Sequence, residues 1–271
     1  MSDLHLEFQW ATPPRGSAPG YDVFVPPVTA ENLALLGDIG IIAHSDSLFH
    51  FLEQQLTRFK RVFYLAGNHE YYGTTYEEAQ VKFRQFAERV QQRRQNEPEL
   101  GEFVLLHRTR YDFPGTNVTV LGCTLWSDIP IEDAGMVRAG LNDFQCIAGW
   151  TTDEHTRIHR EEVAWLTTEM EQLQREAPSR KVAILTHHAP TFQRTSDPKF
   201  KDSPINAGFA TELTGCKQLW NPNLLKVWAF GHTHWLCDHD VHGVRLYANQ
   251  RGYEGAEARQ LCFNPSAVVF I

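Results

Sequence analysis

Apolar residues along this chain recur in short unbroken runs, and each run closes on polar side chains. "LALL" (33–36) leads into Gly37-Asp38, and "VFYLA" (62–66) into Gly67-Asn68-His69-Glu70. "VAILT" (182–186) leads into His187-His188, and "VWAF" (227–230) into Gly231-His232-Thr233-His234. Runs this short and continuous predict strands buried on both faces, the pattern of an α/β protein whose sheets are covered by other layers. Between them the period lengthens to that of a helix. In 45–59, Leu48, Phe49, Leu52, Leu56 and Phe59 share one face, with Ser45 placed to cap. Residues 75–92 predict a second helix and 155–176 a third, the latter with Ile158, Val163, Leu166, Met170 and Leu173 in helical spacing. Further strands are expected at 118–121, 244–248 and 267–271. The Pro- and Gly-rich stretch 11–30 reads as a loop, and 91–99 as a helix end and turn. No internal repeat is present and neither stretch separates two cores, so residues 1–271 read as one domain.

Composition narrows the function classes. The 271 residues carry a formal net charge of -8, which argues against a surface built to grip nucleic acid. No apolar run is long enough for a bilayer span and no secretory leader is recognisable. The five cysteines (123, 146, 216, 237 and 262) are scattered without a CxxC pair, as in reduced cytosolic proteins. These features lead to the expectation of a cytoplasmic protein with no membrane association. The oligomeric state is not written in them. Thirteen histidines are an unusual supply of the commonest metal ligand.

In layered α/β proteins ligands gather at the carboxyl ends of strands. Four runs here end in metal-competent side chains: Asp38, Asn68 with His69, His187, and His232 with His234. Glycine precedes three of these clusters, where it allows a sharp turn. Asp3 and His5 add a further pair. The donors are oxygen and nitrogen with no thiolate, a mixture suited to Mn, Fe, Zn, Co or Ni. Each fragment alone also reads as a turn or a helix cap; their order along the chain is what argues against that.

That order, Asp-x-His, Gly-Asp, Gly-Asn-His-Glu, His, Gly-His-x-His, resembles the calcineurin-like metallophosphoesterase family over nearly the whole chain. "GCTLWSDI" (122–129), "LNDF" (141–144), "THHAP" (186–190) and "NQRGY" (249–253) resemble its small intracellular, single-domain branch. The resemblance implies a layered β-sandwich flanked by helices, and a hydrolase of phosphate mono- or diesters that uses two divalent metal ions to activate water. It implies that Asp3, His5, Asp38 and His234 hold one ion and Asp38, Asn68, His187 and His232 the other, with Asp38 bridging. His187 is taken over His188 because the family's ligand is usually the first of the pair. His69 is implied as the donor to the leaving group, with Glu70 orienting it.

Arg251 is a candidate phosphate contact, since a planar guanidinium fits a phosphate oxygen pair. Asn142 and Asp143 are candidates to line the cleft, and Trp126 to stack on a substrate ring. Surface ion pairing for Arg251 and core packing for Trp126 are the alternatives. His155 and His159 stand one helical turn apart, where an exposed face is the simplest reading. The expected partner is a small phosphorylated substrate, its identity set by loops such as 11–30, 126–155 and 191–206. Two other readings stay open: a non-catalytic scaffold of the same fold that binds proteins, and a nuclease of the superfamily. The family's Asp-x-His motif ends a buried strand, and here only Met1 and Ser2 precede Asp3. The expectation is therefore a fold with its first strand missing, from a chain beginning inside the family domain, with Asp3 and His5 on a fraying terminus.

Overall fold

The computed structural model describes residues 1–8, 20–253 and 262–271. Nine strands are present among them: β1 Asn32–Leu36, β2 Arg61–Leu65, β3 Glu102–Leu105, β4 Thr109–Asp112, β5 Val118–Gly122, β6 Lys181–Leu185, β7 Leu225–Ala229, β8 Cys237–Val241 and β9 Val244–Ala248. The helices are α1 Ser45–Leu56, α2 Tyr76–Arg94, α3 Ala134–Gly140, α4 Asp143–Cys146 and α5 Thr152–Glu176. β1, β2 and β3 form a parallel sheet in that order. The second sheet runs β4-β5-β6-β7-β9-β8; its four inner strands are parallel and its two outer ones antiparallel to their neighbours.

The continuous apolar runs have a simple cause. Successive side chains of a strand point to opposite faces, and here both faces are covered. From β1 and β2, Leu33, Leu35, Val62 and Tyr64 pack against Leu48, Phe51 and Leu52 of α1 and Phe83 and Phe86 of α2. The alternate residues Leu36, Phe63 and Leu65 face the second sheet, where Val120, Ala183, Leu185, Val227 and Ala229 meet them. Across that sheet, Val182, Ile184 and Leu246 pack against Leu166, Met170 and Leu173 of α5. The result is a two-sheet sandwich flanked by helices, the expected α/β class. Every parallel strand pair places its carboxyl ends together, and this gathers the polar run-ends at one rim.

Local expectations held for most elements and failed at three. α2 opens with a reciprocal capping box between Thr75 and Glu78. Ser45, by contrast, caps nothing: a 3-10 turn over Ile42–His44 runs straight into α1, so Ser45 already has helical backbone. Residues 267–271 form no strand; Val269 packs on the core between the sheets, and Ala267 N–H bonds back to the Asn264 carbonyl. The fraying expected of the first residues is also absent. Asp3 and His5 are 0% exposed. The Met1 amine donates to the Ala34 carbonyl (2.9 Å), Leu36 N–H to Met1 (2.9 Å) and Arg251 N–H to Ser2 (3.2 Å). Ser2 is paired with Gln250 in a single parallel bridge, so residues 1–3 thread between the two sheets. Beside Met1 lies an apolar cavity of about 230 Å³, lined by Leu36, Phe63, Ala229 and Val269 among others. Residues 11–19, part of the loop expected to shape specificity, lie outside the described residues. Among the described residues no helix is long and apolar enough to cross a membrane.

Candidate metal centre

The polar run-ends converge. One ligand atom each from Asp3, His5, Asp38 and His234 lies within 4.8 Å of the others, and Asp38, His187 and His232 form a second such group. Asp38 belongs to both. Asn68 Oδ1 is 3.0 Å from His187 Nε2, which joins Asn68 to the second group. All but His234 are buried.

The backbone is shaped for this convergence at some expense. Asp3, His5, Asp38, His232 and His234 all have left-handed φ, between 48° and 70°. Such a conformation costs a non-glycine residue roughly 1–3 kcal/mol and persists where the surroundings impose it. Glu70 imposes part of it. Its buried carboxylate accepts from the backbone N–H groups of Asp38 (2.9 Å), Ile39 (2.8 Å) and Gly67 (2.8 Å) and from the Tyr64 hydroxyl (3.0 Å). Asp3 performs the same service for the last loop, accepting from His232 N–H at 3.0 Å. Gly67 is required by close approach: a Cβ there would collide with Asp38 Oδ1 and the His187 ring.

Hydrogen-bond direction tests whether these residues suit cations. His187 Nδ1 lies 2.9 Å from the Leu36 carbonyl, so it donates and leaves Nε2 as a lone pair. That lone pair faces Asn68 Oδ1 at 3.0 Å and Asp38 Oδ1 at 3.3 Å, both acceptors. Asn68 is fixed in this sense because its amide nitrogen donates to Asp143 Oδ1 at 2.7 Å. His5 Nδ1 likewise donates to Glu7 (3.2 Å) and turns Nε2 toward His234 Nε2, 3.0 Å away. Acceptors aimed at acceptors in a buried site are unfavourable unless a cation or protons lie between them. With protons alone, the Asp38 carboxylate overcomes burial and lifts His187 to about 10, while burial and the neighbouring His187 push His232 down to about 3. Burial raises Asp38, yet the surrounding histidines hold it well below the usual carboxylate range. The donor set therefore fits divalent cations of the borderline type, with Asp38 common to both positions.

His69 belongs to neither of these groups, but with His5 and Glu7 it forms a third whose ligand-type atoms lie within 4.8 Å of one another. Its Nδ1 is 2.9 Å from Glu7 Oε1 and its Nε2 3.0 Å from the Tyr253 hydroxyl. Burial lowers its pKa, but Asp38 and Glu7 outweigh that and raise it to about 9. The orienting group is thus Glu7 and not Glu70, whose oxygens are taken up by the loop amides. Glu7 and Tyr253 were missed in the sequence. Glu7 continues the two-residue spacing of Asp3 and His5, a signal that could have found it. Tyr253 sits in "NQRGY", with its ring centroid 4.4 Å from that of His5 and 4.6 Å from that of His234.

The substrate candidates divide. Asn142 and Asp143 line the cleft, about 310 Å³ in volume, together with His69, Tyr72, Leu141, Phe200, Phe209 and Tyr253. Asp143 is buried and also accepts from the Tyr72 hydroxyl at 2.7 Å, so it braces Asn68 more than it faces a substrate. Trp126 is 0% exposed, packed among Tyr71, Trp150, His155 and His188, and offers no face for stacking. Arg251 is not in the cleft; its guanidinium lies over the Phe24 ring at 5.1 Å. His155 and His159 are not an exposed pair. Both are buried: His155 Nε2 bonds Ser127, and His159 Nδ1 donates to the Leu125 carbonyl at 2.7 Å. They secure the turn in which Leu125 and Trp126 have positive φ.

These Asp, Asn and His donors thus stand together at one rim of a two-sheet sandwich flanked by helices. The sequence profile of the calcineurin-like phosphoesterases matches residues 1–236, and the chain belongs to that family. It is 27% identical over 281 aligned residues to the uncharacterised protein L509 of Acanthamoeba polyphaga mimivirus, covering all of this chain and 95% of that one. Its fold is similar to that of the phosphopantetheinyl hydrolase PptH from Mycobacterium tuberculosis. The TM-score is 0.64 at 17% identity, with 93% of this chain and 88% of that one covered.

Proposed function

We propose that residues 1–271 act as one phosphoesterase domain that hydrolyses a small phosphate mono- or diester with two divalent cations. Asp3, His5, Asp38 and His234 would hold one cation, and Asp38, Asn68, His187 and His232 the other. Cations bound there supply Lewis-acid stabilisation of phosphoryl charge and activation of the attacking water. The remaining chemistry belongs to the chain. The new P–O bond forms from water, the P–O bond to the alcohol breaks, and the leaving alkoxide needs a proton. His69 carries that proton at Nε2, toward the cleft, while Glu7 on Nδ1 fixes the ring's orientation. Tyr72 packs against the same ring, centroids 4.3 Å apart, and limits its rotation. Asp143 keeps the Asn68 oxygen turned inward.

The observation that carries this reading is the convergence of acceptors on Asp38, at the end of β1, from the ends of β2, β6 and β7 and from the amino-terminal residues. The test is metal analysis of the purified protein together with hydrolysis of a nitrophenyl monoester, a bis-nitrophenyl diester and a labelled oligonucleotide in Mn. Two bound ions per chain and metal-dependent release of nitrophenol are expected. Cleavage of the oligonucleotide alone would replace this reading by a nuclease, and failure to bind metal would remove it.

A further inference from the structure

A mainly apolar side pocket of about 160 Å³ adjoins the candidate metal cleft. Phe192, Phe200, Ile205, Phe209 and Ala210 form its apolar walls, and hydroxyl and amide side chains, Thr233 among them, complete the lining. Phe200, Phe209 and Thr233 also line the cleft, so the two spaces are neighbours that share these three residues. Phe209 stacks on His232, with ring centroids 4.7 Å apart and an angle of 26°, which ties the pocket wall to a candidate ligand. Phe192 and Phe200 are each 46% exposed. Large aromatic side chains half-exposed at the mouth of a cavity are what a recognition surface for an apolar group requires. A dry cavity of about 150 Å³ is sufficient for a benzene ring.

The charge of the cleft points the same way. Among the described residues lining it there is no Lys or Arg, while Asp38 and Asp143 are both present. Polyphosphates and nucleoside diphosphates need cationic side chains to balance their additional charges. The described lining of the cleft offers no cationic side chain to a second phosphoryl group, and an apolar surface lies beside it.

We propose that this side pocket takes the alcohol portion of the substrate, so that the enzyme acts on an ester with a single phosphoryl group carried by an aromatic or branched aliphatic alcohol. This rests on the phosphoesterase reading and adds the substrate class to it. The phosphoryl group sits at the Asp38 rim. The alcohol oxygen lies within reach of His69, and the alcohol's apolar end passes between Phe200 and Phe209. Binding energy from that end, remote from the reacting atoms, holds the ester in place for hydrolysis.

The experiment compares ethyl phosphate with phenethyl phosphate, whose leaving alcohols are similar in acidity, and includes ADP. Assays use the Mn-loaded wild type, Phe200→Ala and the Phe192→Ala/Phe200→Ala pair. The expected kcat/KM preference for the phenethyl ester is about thirtyfold, the worth of burying one aromatic group. It should fall at least fivefold in the double variant, mainly through KM for the phenethyl ester, and ADP should remain a poor substrate. Both phenylalanines are half-exposed, so their truncation leaves the core intact. A preference below threefold, or one indifferent to both substitutions, overturns the proposal while leaving the phosphoesterase reading standing. If neither ester is hydrolysed, the pocket is judged by calorimetry with phenethylphosphonate and ethylphosphonate, and the phosphoesterase reading falls only if the nitrophenyl monoester and bis-nitrophenyl diester are untouched as well. Tighter binding of the former, lost in the double variant, supports the pocket assignment; equal binding ends it.

Discussion

Replacing Glu7 with Gln tests the arrangement around His69 most directly. The Glu7 side chain is 4% exposed, and one oxygen serves two imidazoles: His69 Nδ1 at 2.9 Å and His5 Nδ1 at 3.2 Å. Glutamine keeps the size and one acceptor but loses the charge. A hydrogen bond to a charged group contributes about 1.5–3 kcal/mol and a neutral one about 1 kcal/mol, so each of the two bonds should weaken by roughly 1 kcal/mol. The His69 share, felt at the transition state, is roughly a fivefold loss of kcat on an alkyl phosphate. The His5 share should appear separately as a lower affinity for one metal ion, within the ten- to hundredfold range of partners that orient metal-bound histidines. The assay pairs equilibrium dialysis for metal content with kcat for a nitrophenyl and an alkyl ester. The alkyl ester should lose more, because nitrophenolate leaves without help from an acid. Wild-type metal affinity together with an equal loss on both esters would refute the role given to Glu7, and a further large loss on adding Glu7→Gln to His69→Ala would show that the two do not act as a unit.

Other outcomes follow from the same geometry. Asp38→Ala should reduce bound metal at both positions and abolish hydrolysis, measured by metal analysis and nitrophenol release; one ion retained at full occupancy would deny the bridging position. His69→Ala should keep the metal and lose about 10²–10⁴-fold in turnover of alkyl esters. Asp143→Asn should weaken metal binding at the Asn68, His187 and His232 position alone, since it disturbs the acceptor that holds the Asn68 amide. Glu162 is fully buried in α5, and burial raises its carboxyl from 4.5 to about 8, against the lowering pull of Arg108. Its folded pKa is raised, so its contribution to stability is fully present below about pH 4.5 and is lost as pH rises toward 8, at up to about 1.4 kcal/mol per pH unit. Glu162→Gln should therefore flatten the decline of Tm across that window, and an unchanged slope would contradict a buried, protonated carboxyl.

What could be read without coordinates is what depends on local order. A strand covered on both faces needs an unbroken apolar run, and "VFYLA" and "VAILT" satisfy that whatever they pair with. The chain leaves such a strand at the sheet rim, so the side chain just past the run, Asp38 or His187, is delivered there by the strand itself. Contacts made across loops are different, because nothing in the spacing of one loop names its partner in another. Asp143 lies 75 residues from Asn68, yet sets which way the Asn68 amide points. Trp126 follows an apolar strand much as Asp38 does, yet it turns inward because His155 and His159, on a helix thirty residues on, grip the turn around it. Burial of Asp3 and His5 depends on bonds to Gly37, Asp38 and Asn249, which lie at the ends of β1 and β9. The same limit governs specificity. The donor set follows from strand ends, which the chain repeats in a recognisable order. The walls that receive the alcohol come from Phe192, Phe200 and Phe209, in a segment with little regular structure, where the only sequence signal is aromatic residues among polar ones. Substrate choice can therefore change by substitutions in 190–210 without disturbing any strand that presents a candidate ligand, and exchanging those aromatics should alter which alcohol is released before it alters metal content.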